Sequence, residues 1–497
     1  MEAIDQESIV RQVISRATFE PDWFCSELLQ MPNDPWQSEV FNAIADLDRL
    51  KAGIKTLFNH EGKRRFTIKA FHGPGKTHFI AKLMHWYNFT RKGRIVATAP
   101  KEKQLTTRLW PEFRKIKSHA KPEYQQFTKV DRTAITWLGD VDWCAIAETA
   151  ANPENLAGYH DENLCFLVEE ASGVNEELFP AIEGALTTEE AILVLIGNPT
   201  RTQGEFYNSH MKKGTKELYY QKSIQHHETP RISQAWVNGM VAKYGKESPV
   251  VQVRVFGNFV DTEENQLLPL QWVVDAFNRE HVPDGSISRV RVSVDVADGG
   301  EDSSVVSSAL HYETFSFFIK QQVFNFAPAI APIETAKAAA RIFDALSAQY
   351  PHCDGDIVVD SVGVGAGTAG WLIDKHYPVV RYMGGAGSDN PKLYRNRRTQ
   401  SYISYRDALR DGRVVYADDY FDRDDEDDFL AQHTSIKTKP GSERIEDLMT
   451  KQEMKAKGIK SPDMVDPCAM HYATQTPTIG HSSIELTAIP SMVKQEW

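Results

Sequence analysis

The segment FTIKAFHGPGKTHFIAKLMHWY, residues 66–87, constrains the fold more than any other stretch of this chain. An apolar strand runs into a glycine-bearing loop, and the loop runs into a helix. Such a loop turns successive backbone N–H groups onto phosphate oxygens, and the following helix points its positive end at the same place. Lys76 would neutralise the β- and γ-phosphates, and Thr77 would present its hydroxyl to Mg²⁺. The expected ligand of residues 70–77 is therefore ATP, with His72, Gly73 and Gly75 in the loop. Ala70 stands where the usual pattern has glycine.

Around this loop the pattern is α/β. From about residue 66 to residue 259, apolar runs FTIKAF, RIVATAP, LCFLV and AILVLIG alternate with helical stretches, which predicts a parallel sheet. LCFLV ends on Glu169 and Glu170. The first is placed to hold the Mg²⁺ water shell and the second to orient or deprotonate the attacking water. AILVLIG ends at Asn198, a polar residue expected beside the γ-phosphate. Upstream, Gln37 has an amide able to read the adenine edge with one donor and one acceptor, and Trp36 is expected to shelter the base.

A second acidic constellation lies in the C-terminal half. Asp295 sits in the alternating strand VSVDVAD, and Asp298 and Asp302 flank the turn after it. Asp360 ends the strand DIVVD. Asp463 and Asp466 are three apart on an expected helix, and so on one face. Carboxylates at adjacent strand ends and on one helix face can build an oxygen cage for Mg²⁺ or Mn²⁺. Two such ions clamp the attacking and leaving oxygens of a phosphodiester displacement. The metal ligands expected here are Asp295, Asp360, Asp463 and Asp466, and at the loop Thr77 and Glu169.

Bulk properties narrow the class. The 497 residues are 41% hydrophobic and 25% charged, with a net charge of −12, which argues against a static, high-affinity nucleic-acid binder. Part of that charge is local, in the acidic run of residues 418–428. No apolar run is long enough for a membrane span. Five scattered cysteines show neither zinc spacing nor a disulfide framework, as expected of a reduced, cytosolic protein. The domains expected are a helical extension (1–34), the nucleotide domain (35–260), a linker (261–284), the acidic-cluster domain (285–475) and a C-terminal tail (476–497).

In order along the chain, PWQ, AFHGPGKT, LAGYHDENLCFLVEEASGV, GNPTRTQGEFY, RVFGNF, VDVADGGEDSSVV, VDSVGVGAG, YRNRRTQSYISYRDAL and KQEMKAKGIKSPDMVD resemble the large terminase subunits of tailed bacteriophages. The resemblance implies a P-loop ATPase domain of the ASCE type followed by an RNase H/RuvC-like nuclease domain. It implies a motor that drives double-stranded DNA into a procapsid and cuts it. Its implied partners are a portal protein, a small terminase subunit and further copies of the chain in a ring, a pentamer, docked on the procapsid in the host cytoplasm. The rival reading is an ATP-dependent helicase or restriction-type nuclease unconnected with a capsid. His72 stands where the family often has a basic residue, so an arginine must come from elsewhere; Arg64, Arg65, Arg108 and Arg201, or a neighbouring subunit, are the candidates. Lys392, Arg395, Arg397, Arg398 and Arg406 would suit the DNA path.

Overall fold

The computed structural model describes residues 6–58, 60–149, 158–159, 161–261, 265–280, 285–297, 303–422, 425–439, 446–457 and 459–478. The chain divides into two compact units, Met1–Glu264 with Pro269–Glu280, and Asn265–Leu268 with His281–Trp497. The stretch expected to be a linker therefore contributes to both, and it contains a helix, Leu270–Asn278, with Val273 and Ala276 buried.

The first unit is built on eight strands: β1 (Arg65–Lys69), β2 (Arg94–Ala99), β3 (Thr128–Val130), β4 (Ala134–Trp137), β5 (Asp140–Thr149), β6 (Leu164–Glu169), β7 (Ile192–Gly197) and β8 (Tyr219–Ser223). Their order is β3-β4-β5-β2-β6-β7-β1-β8. From β5 to β8 every pairing is parallel, and β3 and β4 form an antiparallel flap on that edge. The four apolar runs seen in the sequence are β1, β2, β6 and β7. Strands β6 and β7 are buried along their whole length, as expected of central parallel strands covered on both faces. Because β7 lies between β1 and β6, the loop-bearing strand and the acid-bearing strand are one strand apart. That insertion is the mark of the ASCE arrangement.

The N-terminal helices pack into this unit rather than standing off it. Ala17, Phe24, Cys25 and Leu29 are buried in the same core as Phe41, Phe79 and Trp86, and the Trp86 indole donates to Ala17 O at 2.7 Å. Burying a large apolar side chain contributes roughly 2 kcal/mol, so this contact ties the extension to the helix that follows the phosphate loop.

The second unit has six strands, β9 (Ile287–Asp295), β10 (Ser304–Tyr312), β11 (Ser316–Phe324), β12 (Asp354–Asp360), β13 (Val379–Tyr382) and β14 (Val414–Tyr416), in the order β13-β12-β9-β10-β11-β14. The meander β9-β10-β11 is antiparallel, and β12 and β13 add in parallel beside β9. Three antiparallel strands followed by two parallel ones, with the first strand central, is the RNase H-like topology. Thr478 pairs with Val379 on the outer edge, so the start of the expected tail still belongs to the sheet. Within the acidic run, Glu426, Asp427 and Asp428 open the helix Glu426–Ser435, where the helix dipole favours negative charge. Among the described residues no helix is long and apolar enough to cross a membrane.

Candidate functional site

Parallel strands deliver their C-terminal ends to one edge, and the register shows which residues meet there. Lys69 pairs with Gly197, and Glu169 pairs with Ile196. The phosphate loop, the acidic pair and Asn198 therefore leave the sheet side by side. Gly75 caps the helix Lys76–Thr90 in a left-handed conformation, φ 90°, and Gly73 is likewise at φ 85°. The Lys76 ammonium, almost fully buried, donates to Asn198 Oδ1 at 2.5 Å and stands 3.7 Å from Glu170 Oε1. The Asn198 amide in turn donates to Ala70 O at 3.0 Å, which closes a bridge from β7 back to the loop. The block RVFGNF supports the loop from behind: His72 N donates to Arg254 O at 2.9 Å, and Lys69 Nζ donates to Gly257 O at 3.2 Å.

The Thr77 hydroxyl donates to Glu169 Oε1, while Glu169 Oε2 is buried with no hydrogen-bond partner among the described residues. Burial, reinforced by the neighbouring Glu170 charge, pushes the Glu169 carboxyl up to about 7 against the opposing pull of Thr77, Lys76 and Arg108. A buried acid with an unsatisfied oxygen beside a threonine hydroxyl is a donor set that fits Mg²⁺. Glu170 has φ 49°, a strained conformation of the kind that active sites retain.

The base end differs from expectation at one residue. Trp36 is fully buried and packs on Phe79 with ring centroids 5.1 Å apart, so it is a core residue and not a shelter for adenine. Gln37 is also fully buried. Its Oε1 accepts from Lys82 Nζ at 2.7 Å and from Asp34 N at 3.2 Å, and its Nε2 has no partner among the described residues. Of the four candidate arginines, Arg64 and Arg65 pair with Glu190 and Glu183 at the opposite end of β1, and Arg201 is held by Asp275 at 2.6 Å. Only Arg108 among them bears electrostatically on Glu169.

In the second unit, Val294 pairs with Val359, so the next residues, Asp295 and Asp360, end adjacent strands together. Asp466 opens the helix Asp466–Met470. Asp463 lies in the turn before it, so the two acids do not share a helix face as expected. They still reach the same place. Burial and the Asp295 charge push both Asp360 and Asp463 up to about 6. Asp463 Oδ2 accepts from Ser303 N at 3.2 Å. Asp298 and Asp302 lie outside the described residues.

The sequence reading missed Lys451. Its ammonium is 2.7 Å from Asp466 Oδ2 and 3.3 Å from Asp295 Oδ2. Burial disfavours a charged Asp466, yet Lys451 and Arg398 outweigh it and hold that carboxyl below its ordinary value; Tyr402 donates to it at 2.6 Å. Among the described residues no three acid, histidine or cysteine side chains close on a single point as they stand. Two aspartates whose carboxyls burial and mutual charge push up, beside two paired with Lys451, nevertheless form an oxygen-rich cluster, which fits a hard divalent cation. The predicted basic run divides: Lys392 and Arg395 are exposed, whereas Arg398 is turned inward, 3.6 Å from Asp466 and donating to Met449 O at 2.9 Å.

A P-loop fold of the ASCE type joined in one chain to an RNase H-like fold is the class that these two units define. Within that class the sequence motifs resemble the large terminase subunits, and the chain is similar to proteins described as such. No family model matches the chain. The protein described as "Probable terminase, large subunit" of Enterobacteria phage P7 is 26% identical over 381 residues, covering 70% of this chain and 73% of that relative. Among solved structures, the large terminase of a thermophilic bacteriophage in complex with ADP aligns over 86% of this chain and 98% of its own, at 13% identity and a TM-score of 0.39. The nuclease domain of the large terminase subunit of bacterial virus Sf6 aligns over 42% of this chain and its own full length, at 19% identity and a TM-score of 0.35.

Proposed function

We propose that the chain is the large subunit of a DNA-packaging terminase, an ATPase that translocates double-stranded viral DNA and a metal-dependent endonuclease that cuts it. The observation that carries this reading is the pairing of two acid-bearing strand edges on one chain, the first facing a phosphate loop and the second forming an aspartate cluster. At the first site Gly73, Gly75 and Lys76 hold the triphosphate, and His72 lines the loop. Thr77 and Glu169 hold Mg²⁺, which offsets phosphate charge when bound. Glu170 takes the proton of the attacking water. Asn198, bonded to both Lys76 and Ala70, couples the state of the γ-phosphate to the loop. Gln37 belongs to the base end of the site.

At the second site Asp295, Asp360, Asp463 and Asp466 hold Mg²⁺ or Mn²⁺, which supplies Lewis-acid stabilisation of the phosphodiester displacement. Lys392 and Arg395 lie on the DNA path. The net charge of −12 suits a translocase, because each step requires release of phosphates that a strongly basic surface would retain. Portal protein, small subunit and a pentameric ring assembled on the procapsid in the host cytoplasm complete the proposal.

The test is a packaging reaction with procapsids that carry a portal, scored as nuclease-resistant DNA. Protection should require ATP and vanish with Lys76→Ala. ATP-dependent strand separation without procapsids, and no protected DNA with them, would favour the helicase reading instead.

A further inference from the structure

The nucleotide-binding loop has a lid residue that its motif does not contain. Gly73 and Gly75 are closely covered by Ile232 and Arg231. A Cβ on Gly73 would lie 3.1 Å from Ile232 Cδ1, and a Cβ on Gly75 only 2.9 Å from Arg231 Nε, with Arg231 Cδ and Cζ at 3.3 Å. Both glycines have positive φ as well, so a side chain at either position would be strained whatever the space around it. The Arg231 guanidinium thus rests directly on the loop, one residue before Lys76.

Its position is fixed from the other side. Arg231 Nε donates to Asp34 Oδ2 at 2.9 Å, and the Thr229 hydroxyl donates to the same oxygen at 3.1 Å. Arg231 N closes the turn on Thr229 Oγ1 at 3.3 Å. Asp34 is the N-cap of the helix Pro35–Lys51, and its own N–H donates to Gln37 Oε1. The guanidinium therefore spans from the cap that carries Gln37 to the glycine beside Lys76. With Nε committed to Asp34, the two terminal nitrogens have no partner among the described residues, and the side chain is 38% exposed.

We infer that Arg231 is a nucleotide-binding residue whose terminal N–H groups contact the ribose and α-phosphate, the part of the ligand that ATP and ADP share. The inference rests on the first site being an ATP site. A planar guanidinium with one edge held by a carboxylate keeps its other donors preorganised for a phosphate oxygen. Asp34 is a positioning residue in this arrangement, acting through Arg231.

The experiment measures binding of ADP and of a slowly hydrolysed ATP analogue, together with ATP turnover, for the full chain and for Arg231→Ala, Arg231→Lys and Lys76→Ala. Arg231→Ala should weaken both nucleotides equally, roughly 10- to 100-fold as expected for charge-assisted hydrogen bonds, and raise KM while kcat changes little. Arg231→Lys keeps the charge but cannot serve Asp34 and the phosphate together, so it should fall between. A loss of kcat with unchanged ADP affinity would overturn the inference in favour of a role at the γ-phosphate. Unchanged binding in Arg231→Ala would overturn it outright. If the unsubstituted chain binds neither nucleotide, or Lys76→Ala binds both as well as it does, the ATP site itself is refuted, a separate outcome. Melting temperatures of the variants identify any loss of affinity that comes from misfolding.

Discussion

The two acidic sites use a lysine in opposite ways. Lys76 comes from the loop itself, is almost fully buried, and is bonded to Asn198 at 2.5 Å while standing 3.7 Å from Glu170. Lys451 comes from a distant helix start, is 41% exposed, and sits directly between Asp295 and Asp466. On the proposed function, the first lysine is aimed at where phosphate charge arrives. The second neutralises the acids that a divalent cation would need. Acids beside a lysine therefore do not define one chemistry; what matters is whether the ammonium faces the ligand or stands in for it.

The same substitution should accordingly act with opposite sign at the two sites. Lys76→Ala should reduce ATP turnover at least ~100-fold, the size typical for loss of a preorganised charge stabiliser, and phosphate release measures it. Plasmid cleavage with Mn²⁺ should fall by about as much in Asp295→Asn; cleavage that survives would refute the metal assignment. Lys451→Ala should lower the Mn²⁺ concentration for half-maximal cleavage by about tenfold, the scale for removing one half-exposed cation from beside a buried cluster. A rise in the required metal would show that Lys451 assists the reaction rather than competing with the ion.

The smallest effect concerns stability. Glu169 holds its proton up to about pH 7 in the folded chain but loses it near its ordinary value of 4.5 when unfolded. Across that window the folded state binds more protons, so this carboxyl's contribution to stability is present at low pH and is lost as pH rises through 7. Glu169→Gln removes the cost, and its gain over the unsubstituted chain should grow between pH 5 and pH 8 by on the order of 2 kcal/mol. Thermal melts at the two pH values check it, and an equal gain at both would refute the buried-charge account.

What was legible in the sequence follows from locality. The phosphate loop is one contiguous stretch, and the apolar runs β1, β2, β6 and β7 are buried on both faces, so period and composition reveal them. Strands β3, β4 and β5 have mixed, partly exposed faces and carry no such signal. Asp295 and Asp360 are readable as strand-end acids. Lys451 is not, because only the fold brings it to them. Trp36 shows the converse: an aromatic beside Gln37 suggests base binding, but the helix turns it into the core against Phe79. Spacing alone puts Asp463 on a helix that in fact begins three residues later, at Asp466, since Pro467 fixes the first turn there.

The most direct test of the engine is phosphate release by the unsubstituted chain and by Glu170→Ala under saturating ATP and Mg²⁺. If Glu170 accepts the proton of the attacking water, the variant should still bind nucleotide but turn over roughly 100- to 10,000-fold more slowly. Equal rates in the two proteins would be incompatible with Glu170 as the base.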